Sequence, residues 1–261
     1  MTAAAEEEAP RRGRSSPHGT SVEKAMRILE ALAVPGGPHR LMDIAERAEV
    51  PRSTAYRLLA MLGAEGFVEP GGEGRYGIGS RLGGLAAQVV AVVSAGVGPA
   101  LQELQQGAGG NTVHLAMRVG DHAVYLHKVD SDKPYEMRSR VGSQFLLHCT
   151  AIGKAILAHL PSEEVETITA TAGMPARTPA TITGLPALHA ELAAVRERGY
   201  AVDDEENEAT VRCIGAAVLD GSGAPRGGVS ISTVTFAVDR TELLTYAPLL
   251  QATARRMADL V

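Results

Sequence analysis

The chain contains no tryptophan, and three phenylalanines and six tyrosines leave aromatics at 3% of 261 residues. Its core must therefore be assembled from alanine, valine, leucine and isoleucine. Cysteine is equally scarce. Cys149 and Cys213 are too few for a disulfide framework or a zinc ribbon, and they suit a reducing cytoplasm. Long apolar runs are missing as well. The longest, Leu82–Val93, is interrupted by Gln88, which argues against a membrane span. Near the start come Glu6–Glu8 and then Arg11, Arg12 and Arg14 with no apolar stretch, unlike a secretory signal. The eight histidines show no metal-ligand spacing and read as structural or surface residues. No metal or cofactor is expected.

Positive charge is not in excess either. Net charge is −5, and residues 20–80 hold seven Lys/Arg against eight Asp/Glu. The distribution says more than the sum, because affinity for phosphates depends on the face that meets them. From Val50 to Ala64 there are two arginines and no acid. Charge thus permits nucleic-acid binding without arguing for it.

What is present is a chain long enough for one large domain or two of ordinary size, 45% hydrophobic and 21% charged, as expected of a globular protein. Residues 1–20 show no apolar periodicity and read as a disordered tail. Val22, Ala25, Met26, Leu29 and Leu32 then recur at helical spacing, with Ser21 as the expected cap and Pro35–Pro38 as the stop. Leu41, Ile44, Ala45 and Ala48 give a second helix. A turn at Val50-Pro51 opens a third, with Ser53 or Thr54 as candidate caps and Ala55, Leu58, Leu59 and Leu62 on its inner face. Strands on either side of Gly71–Gly74 complete a winged helix-turn-helix over residues 21–80. A DNA reader needs donors on the exposed face of its second motif helix. Arg52, Ser53, Thr54, Tyr56 and Arg57 fit that face, and Arg75 fits the wing.

Residues 81–95 read as a linker helix, too apolar to stay solvated, and so expected to pack against a partner subunit. Residues 96–261 read as an α+β domain. Strands are expected at Thr112–Val119, Ala123–Val129, Tyr135–Arg140, Tyr200–Asp203, Val211–Leu219 and Arg226–Val234, with helices at Leu185–Arg198 and Arg240–Leu260, the last capped by Asp239 and kinked by Pro248. The most informative stretch is His148–Ala158, a small polar turn entering a helix whose first N–H groups have no intrahelical partner and suit an anion. A nucleotide-binding loop is excluded, since His148 stands where its first glycine belongs and Ala155 follows Lys154. Cys149 lacks an identifiable orienting acid, so a small buried thiol is the plainer reading than a nucleophile. Asp203–Glu208 lacks the glycine and alternation of a calcium loop and reads as a solvated acidic turn. Ser230 and Ser232, two apart on a strand, project to one face and offer hydroxyls to a small polar ligand.

These segments resemble the IclR family of bacterial transcriptional regulators. The likeness runs from Ser21 to the C-terminus, through Ser21–Leu29, Pro51–Leu59, Arg75–Gly79, His148–Ala158, Arg198–Glu206, Val211–Cys213 and Ser230–Ser232. It implies a winged helix followed by a GAF-like effector domain, working as dimers or tetramers on palindromic operators. It also implies a small-acid pocket using the backbone of Ala151 and Ile152 and the side chains of Asp203, Cys213, Ser230 and Ser232. Leu146 stands where the family often has proline, Cys149 where it often has alanine, and Thr233-Val234 replaces a frequent Gly-Pro.

The expectation is a cytoplasmic DNA-binding transcription factor, more readily a repressor than an activator, controlled by a small carboxylic acid and acting as a homo-oligomer. Its partners are double-stranded DNA, the effector and copies of itself, with no membrane. Two rivals stand beside it: a cysteine-dependent enzyme, and a ligand sensor that docks proteins rather than DNA.

Overall fold

The computed structural model describes residues 19–34 and 36–258. Apart from Gly19 and Thr20, the expected tail at 1–20 lies outside them. Contacts divide the chain between Val89 and Val90 into two compact units.

The first unit opens with α1 (Ser21–Leu32). Its cap is Thr20 rather than Ser21: Thr20 Oγ1 accepts from the Glu23 N–H at 3.3 Å, and Glu23 Oε2 accepts from the Thr20 N–H at 2.7 Å. A two-residue strand, β1 (His39–Arg40), leads into α2 (Leu41–Arg47), and Pro51 precedes α3 (Arg52–Ala64). Neither Ser53 nor Thr54 caps α3; its first turn has no side-chain cap and no acid. Ile28, Ile44, Ala55, Leu58 and Leu59 close the core between the three helices and Val68. β2 (Val68–Pro70) and β3 (Arg75–Ile78) form the wing, with β1 paired to the outer side of β3 in the order β1-β3-β2. β1 escapes sequence reading because two residues carry no period.

The helix expected at 81–95 is α4 (Ser80–Gly107), which continues through Gly98 and Pro99. Val97, Leu101, Leu104 and Ala108 recur at helical spacing and are buried in the second unit's core, which outweighs the local breakers.

That second unit is built on a six-stranded antiparallel sheet in the order β6-β5-β4-β9-β8-β7. Its strands are β4 (Thr112–Val119), β5 (His122–Val129), β6 (Gln144–Leu146), β7 (Ala201–Asp204), β8 (Val211–Leu219) and β9 (Pro225–Val234). The strand expected at Tyr135–Arg140 is absent. That segment is irregular, and the edge strand falls at Gln144–Leu146 instead, paired to β5. On the sheet's flanks lie α5 (Ala151–Leu157), α6 (Ser162–Ala172), α7 (Leu185–Arg198), α8 (Arg240–Thr245) and α9 (Ala247–Met257). α6 has no counterpart among the helices expected from sequence. The single helix expected at 240–260 is two, with Pro248 in the first turn of α9, where a missing N–H costs nothing. Asp239 caps α8 as expected, accepting from the Glu242 N–H at 2.8 Å.

Strand alternation splits the core in two. Val113, Leu115, Ile214, Val229 and Ile231 pack with Leu101, Leu104, Leu243, Leu250 and Met257. Ala116 and Ala123 belong to a second cluster with Ile152 and Ile156 of α5 and Leu188 and Leu192 of α7.

Candidate functional site

Two regions collect the candidate residues. On α3, Arg52, Ser53, Tyr56 and Arg57 are exposed and Thr54 is half-buried, while Ala55, Leu58 and Leu59 turn inward. Arg52, Ser53 and Tyr56 line an open depression together with Leu41. Arg75 is less free. It starts β3, is half-buried, and donates from Nη1 to the Pro38 carbonyl at 3.2 Å.

In the second unit a cavity of about 400 Å³ brings together Ala151, Ile152, Asp203, Cys213, Ser230 and Ser232. Sheet register explains the grouping. Asp203 pairs with Cys213, Cys213 with Ser232, and Ser230 with His114, so four neighbouring strands present polar side chains at one level. The start of α5 sits against β8 because Gly215 has no side chain: a Cβ there would lie 2.6 Å from the Ala151 carbonyl carbon. At that start Thr150 Oγ1 accepts from the Gly153 N–H at 3.1 Å, and the Thr150 carbonyl accepts from the Lys154 N–H. The N–H groups of Ala151 and Ile152 remain without a partner in the helix ladder. α5 is a two-turn helix of seven residues.

His114, expected from sequence to be structural or surface, is buried and lines the cavity floor. Its Nε2 meets Ser139 Oγ at 2.7 Å, and its Nδ1 lies 3.3 and 3.4 Å from Ser230 and Ser232. Burial, helped by Lys128, pushes its pKa down to about 3, so the ring is neutral. A neutral ring holds one N–H, leaving the other nitrogen a single lone pair. Both serines cannot give their protons to it, so at least one hydroxyl proton is left for Cys213, which neighbours Ser232, or for a guest. Tyr125 stacks at 4.8 Å from His114 and 4.3 Å from Phe145, making one wall aromatic. Arg177 lines the rim and is exposed.

The expected solvated acidic turn is not solvated. Asp203 is 3% exposed and Glu206 is 7% exposed. Glu206 Oε1 bonds the ammonium of Lys154, a residue 1% exposed, and Lys154 also approaches Glu191 at 3.7 Å. This buried pair ties α5 to the turn after β7 and to α7. Asp203 Oδ1 accepts from the backbone N–H of Glu206 and Asn207 at 2.8 and 3.2 Å. Burial raises its pKa to about 7, against the pull of the Glu206 N–H. The thiols are the opposite of activated: burial pushes Cys149 up to about 12 and Cys213 higher still. No cluster of three or more metal-ligating side chains exists among the described residues, and no helix among them is long and apolar enough to cross a membrane.

A winged helix-turn-helix with an arginine-bearing outer face, followed by a sheet domain enclosing a polar cavity, is the architecture of a ligand-responsive DNA-binding regulator. Known proteins agree. Residues 21–72 match the family described as the IclR helix-turn-helix domain, and residues 87–259 match the bacterial transcriptional regulator IclR C-terminal family. Probable transcriptional regulator SauR of Cupriavidus necator is 33% identical over 239 residues, covering 90% of this chain and 94% of that protein. HTH-type transcriptional repressor AllR of Escherichia coli is 31% identical over 238 residues, covering 90% and 88%. Among solved structures, an IclR transcriptional regulator from Alicyclobacillus acidocaldarius superposes with a TM-score of 0.80 at 26% identity, covering 92% of this chain and 98% of that one. An IclR homolog from Microbacterium hydrocarbonoxydans, complexed with 4-hydroxybenzoate, shares the fold with a TM-score of 0.75 at 22% identity, covering 92% and 98%. The chain belongs to the IclR family of DNA-binding transcriptional regulators, which are not enzymes.

Proposed function

We propose that this regulator represses transcription under the control of a small monocarboxylic acid held in the sheet-domain cavity. The observation that carries the reading is the cavity floor, where His114, Ser230, Ser232, Cys213 and Asp203 converge from four strands beside an aromatic wall. A hydroxyl proton not held by His114 and the N–H groups of Ala151 and Ile152 serve one carboxylate, while Asp203 disfavours a second negative charge. The 4-hydroxybenzoate bound by the Microbacterium homolog and the repressor name of AllR support acid control and the negative sign.

On the DNA side, Arg52 and Arg57 reach base edges or phosphates, Ser53, Thr54 and Tyr56 add contacts, and the uncapped N-terminus of α3 accepts a phosphate. The remaining donors of Arg75 serve the flanking backbone. The chain works in the cytoplasm as a homodimer or homotetramer on a palindromic operator. Leu85 and Val89 on α4 are 49% and 55% exposed, and a second copy covers them. Two heads then fall on half-sites about one or more 10-bp turns apart.

The test is footprinting on DNA flanking the regulator's own gene with monocarboxylates added in turn. An acid that releases the footprint supports the reading, and a footprint indifferent to every acid overturns it. Light scattering that finds a monomer with full operator affinity would overturn the oligomer.

A further inference from the structure

Asp203 is a buried carboxyl in the cavity wall with one oxygen unused. Oδ1 takes the two backbone N–H groups, and Oδ2 has no hydrogen-bond partner among the described residues. The ammonium that could neutralise it, Lys154 on α5, is committed to Glu206 and Glu191. The other groups around it bring no buried positive charge. Cys213 on β8, Cys149 ahead of α5 and Tyr125 on β5 are neutral acids whose protons burial holds more firmly than usual. On its own turn stand the carboxyls of Glu206 and Glu208, the latter 3.5 Å from Arg138. Arg177 is exposed at the rim, where solvent screens it, and His114 is neutral.

A carboxylate seated on Ser230 and Ser232 therefore meets a second carboxyl with no buried cation between them. Two carboxylates sharing such a site do not both stay ionised. We infer that binding of an acid effector is coupled to uptake of one proton from solvent by Asp203 Oδ2, whose O–H then donates to the guest. No bond in the guest breaks. The inference rests on the cavity reading above and makes Asp203 a specificity residue, accepting one carboxylate and opposing a second.

The free protein is already poised for this step, since burial holds Asp203 near pH 7. Well below that pH the proton is in place before the guest arrives; above it each binding event must draw one from the buffer. For a single such group, affinity is about tenfold weaker at pH 8 than at pH 6, and uptake rises from about 0.1 to about 0.9 proton per site.

Calorimetry of the full chain in buffers of different ionisation enthalpy counts these protons, with pyruvate, benzoate and 4-hydroxybenzoate as probes. The expected result is near-unit uptake at pH 8 and little at pH 6. In Asp203→Asn, the amide oxygen keeps both backbone bonds and the NH2 donates as the protonated acid would. Uptake should then vanish and the pH dependence flatten. Binding at pH 8 without proton uptake overturns the inference while leaving the cavity reading intact, and so does uptake that persists in Asp203→Asn. Failure of every probe to bind at either pH overturns the cavity reading and this inference with it. The wild-type proton count stands even if the variant is unstable.

Discussion

The proposed recognition face of α3 and the floor of the cavity are both polar, yet they lie at opposite extremes of burial. Arg52, Ser53, Tyr56 and Arg57 are exposed and have no part in the three-helix core. Their side chains are free to serve a partner. In the cavity, Asp203, Ser230, Ser232 and His114 are each no more than 4% exposed, and every one is bonded to its neighbours. There, the groups proposed to hold a guest also hold one another. Substitutions in the head should thus change binding alone, whereas substitutions around the cavity should change binding, stability and pH response together.

The largest effect is expected where the entanglement is deepest. Lys154→Met leaves Glu206 buried without its cation, at a cost of about 3–5 kcal/mol in unfolding free energy. The double variant Lys154→Met/Glu206→Leu should recover most of that loss, because it buries no lone charge. Urea unfolding of both decides it, and a single variant as stable as wild type would show that the pair does not hold α5. Next comes the pH response. Folded Asp203 keeps its proton to about pH 7, while an unfolded aspartate loses it near 3.8. Between those values the folded state binds more protons, so stability falls as pH rises from about 4 to about 7, by on the order of a few kcal/mol in total. Glu206, also raised by burial, acts in the same direction. Asp203→Asn should flatten part of this slope, and an unaltered slope would place the titrating group elsewhere.

In the head, Arg57→Ala should weaken operator binding by about 1–3 kcal/mol for a base contact, with an unchanged unfolding midpoint. Arg52→Ala should behave likewise. Unchanged affinity for both in a mobility-shift titration would falsify the recognition face. The smallest effect, about tenfold in effector affinity, is expected for Ser230→Ala or Ser232→Ala by calorimetry, with effector-free DNA binding untouched.

The same contrast governs what could be read from sequence. The head was legible because its helices are local: a 3.6-residue period and a turn proline fix them. What slipped were the two-residue strand β1 and details of capping, Thr20 in place of Ser21 and no side-chain cap on α3. In the sheet domain the strands flanked by Gly120 and Gly221–Gly223 were legible, as was the shared face of Ser230 and Ser232. Pairing across distant strands was not. His114 meets Ser230 across 116 residues, a contact set by register rather than by any local pattern. Lys154 and Glu206, 52 apart, looked like a helix lysine and a wet acidic turn until the fold buried both. α4 outran its expected end because burial of Val97, Leu101 and Leu104 outweighs Gly98 and Pro99.

A guest in the cavity is proposed to govern the grip of the head on DNA. The most direct measurement is fluorescence anisotropy of labelled operator with the full-length chain, titrated with a monocarboxylate that binds it, in wild type and in Ser230→Ala/Ser232→Ala. The acid should lower operator affinity in wild type, and the double variant should need at least about tenfold more acid for the same release. Release at the same acid concentration in both proteins would contradict it.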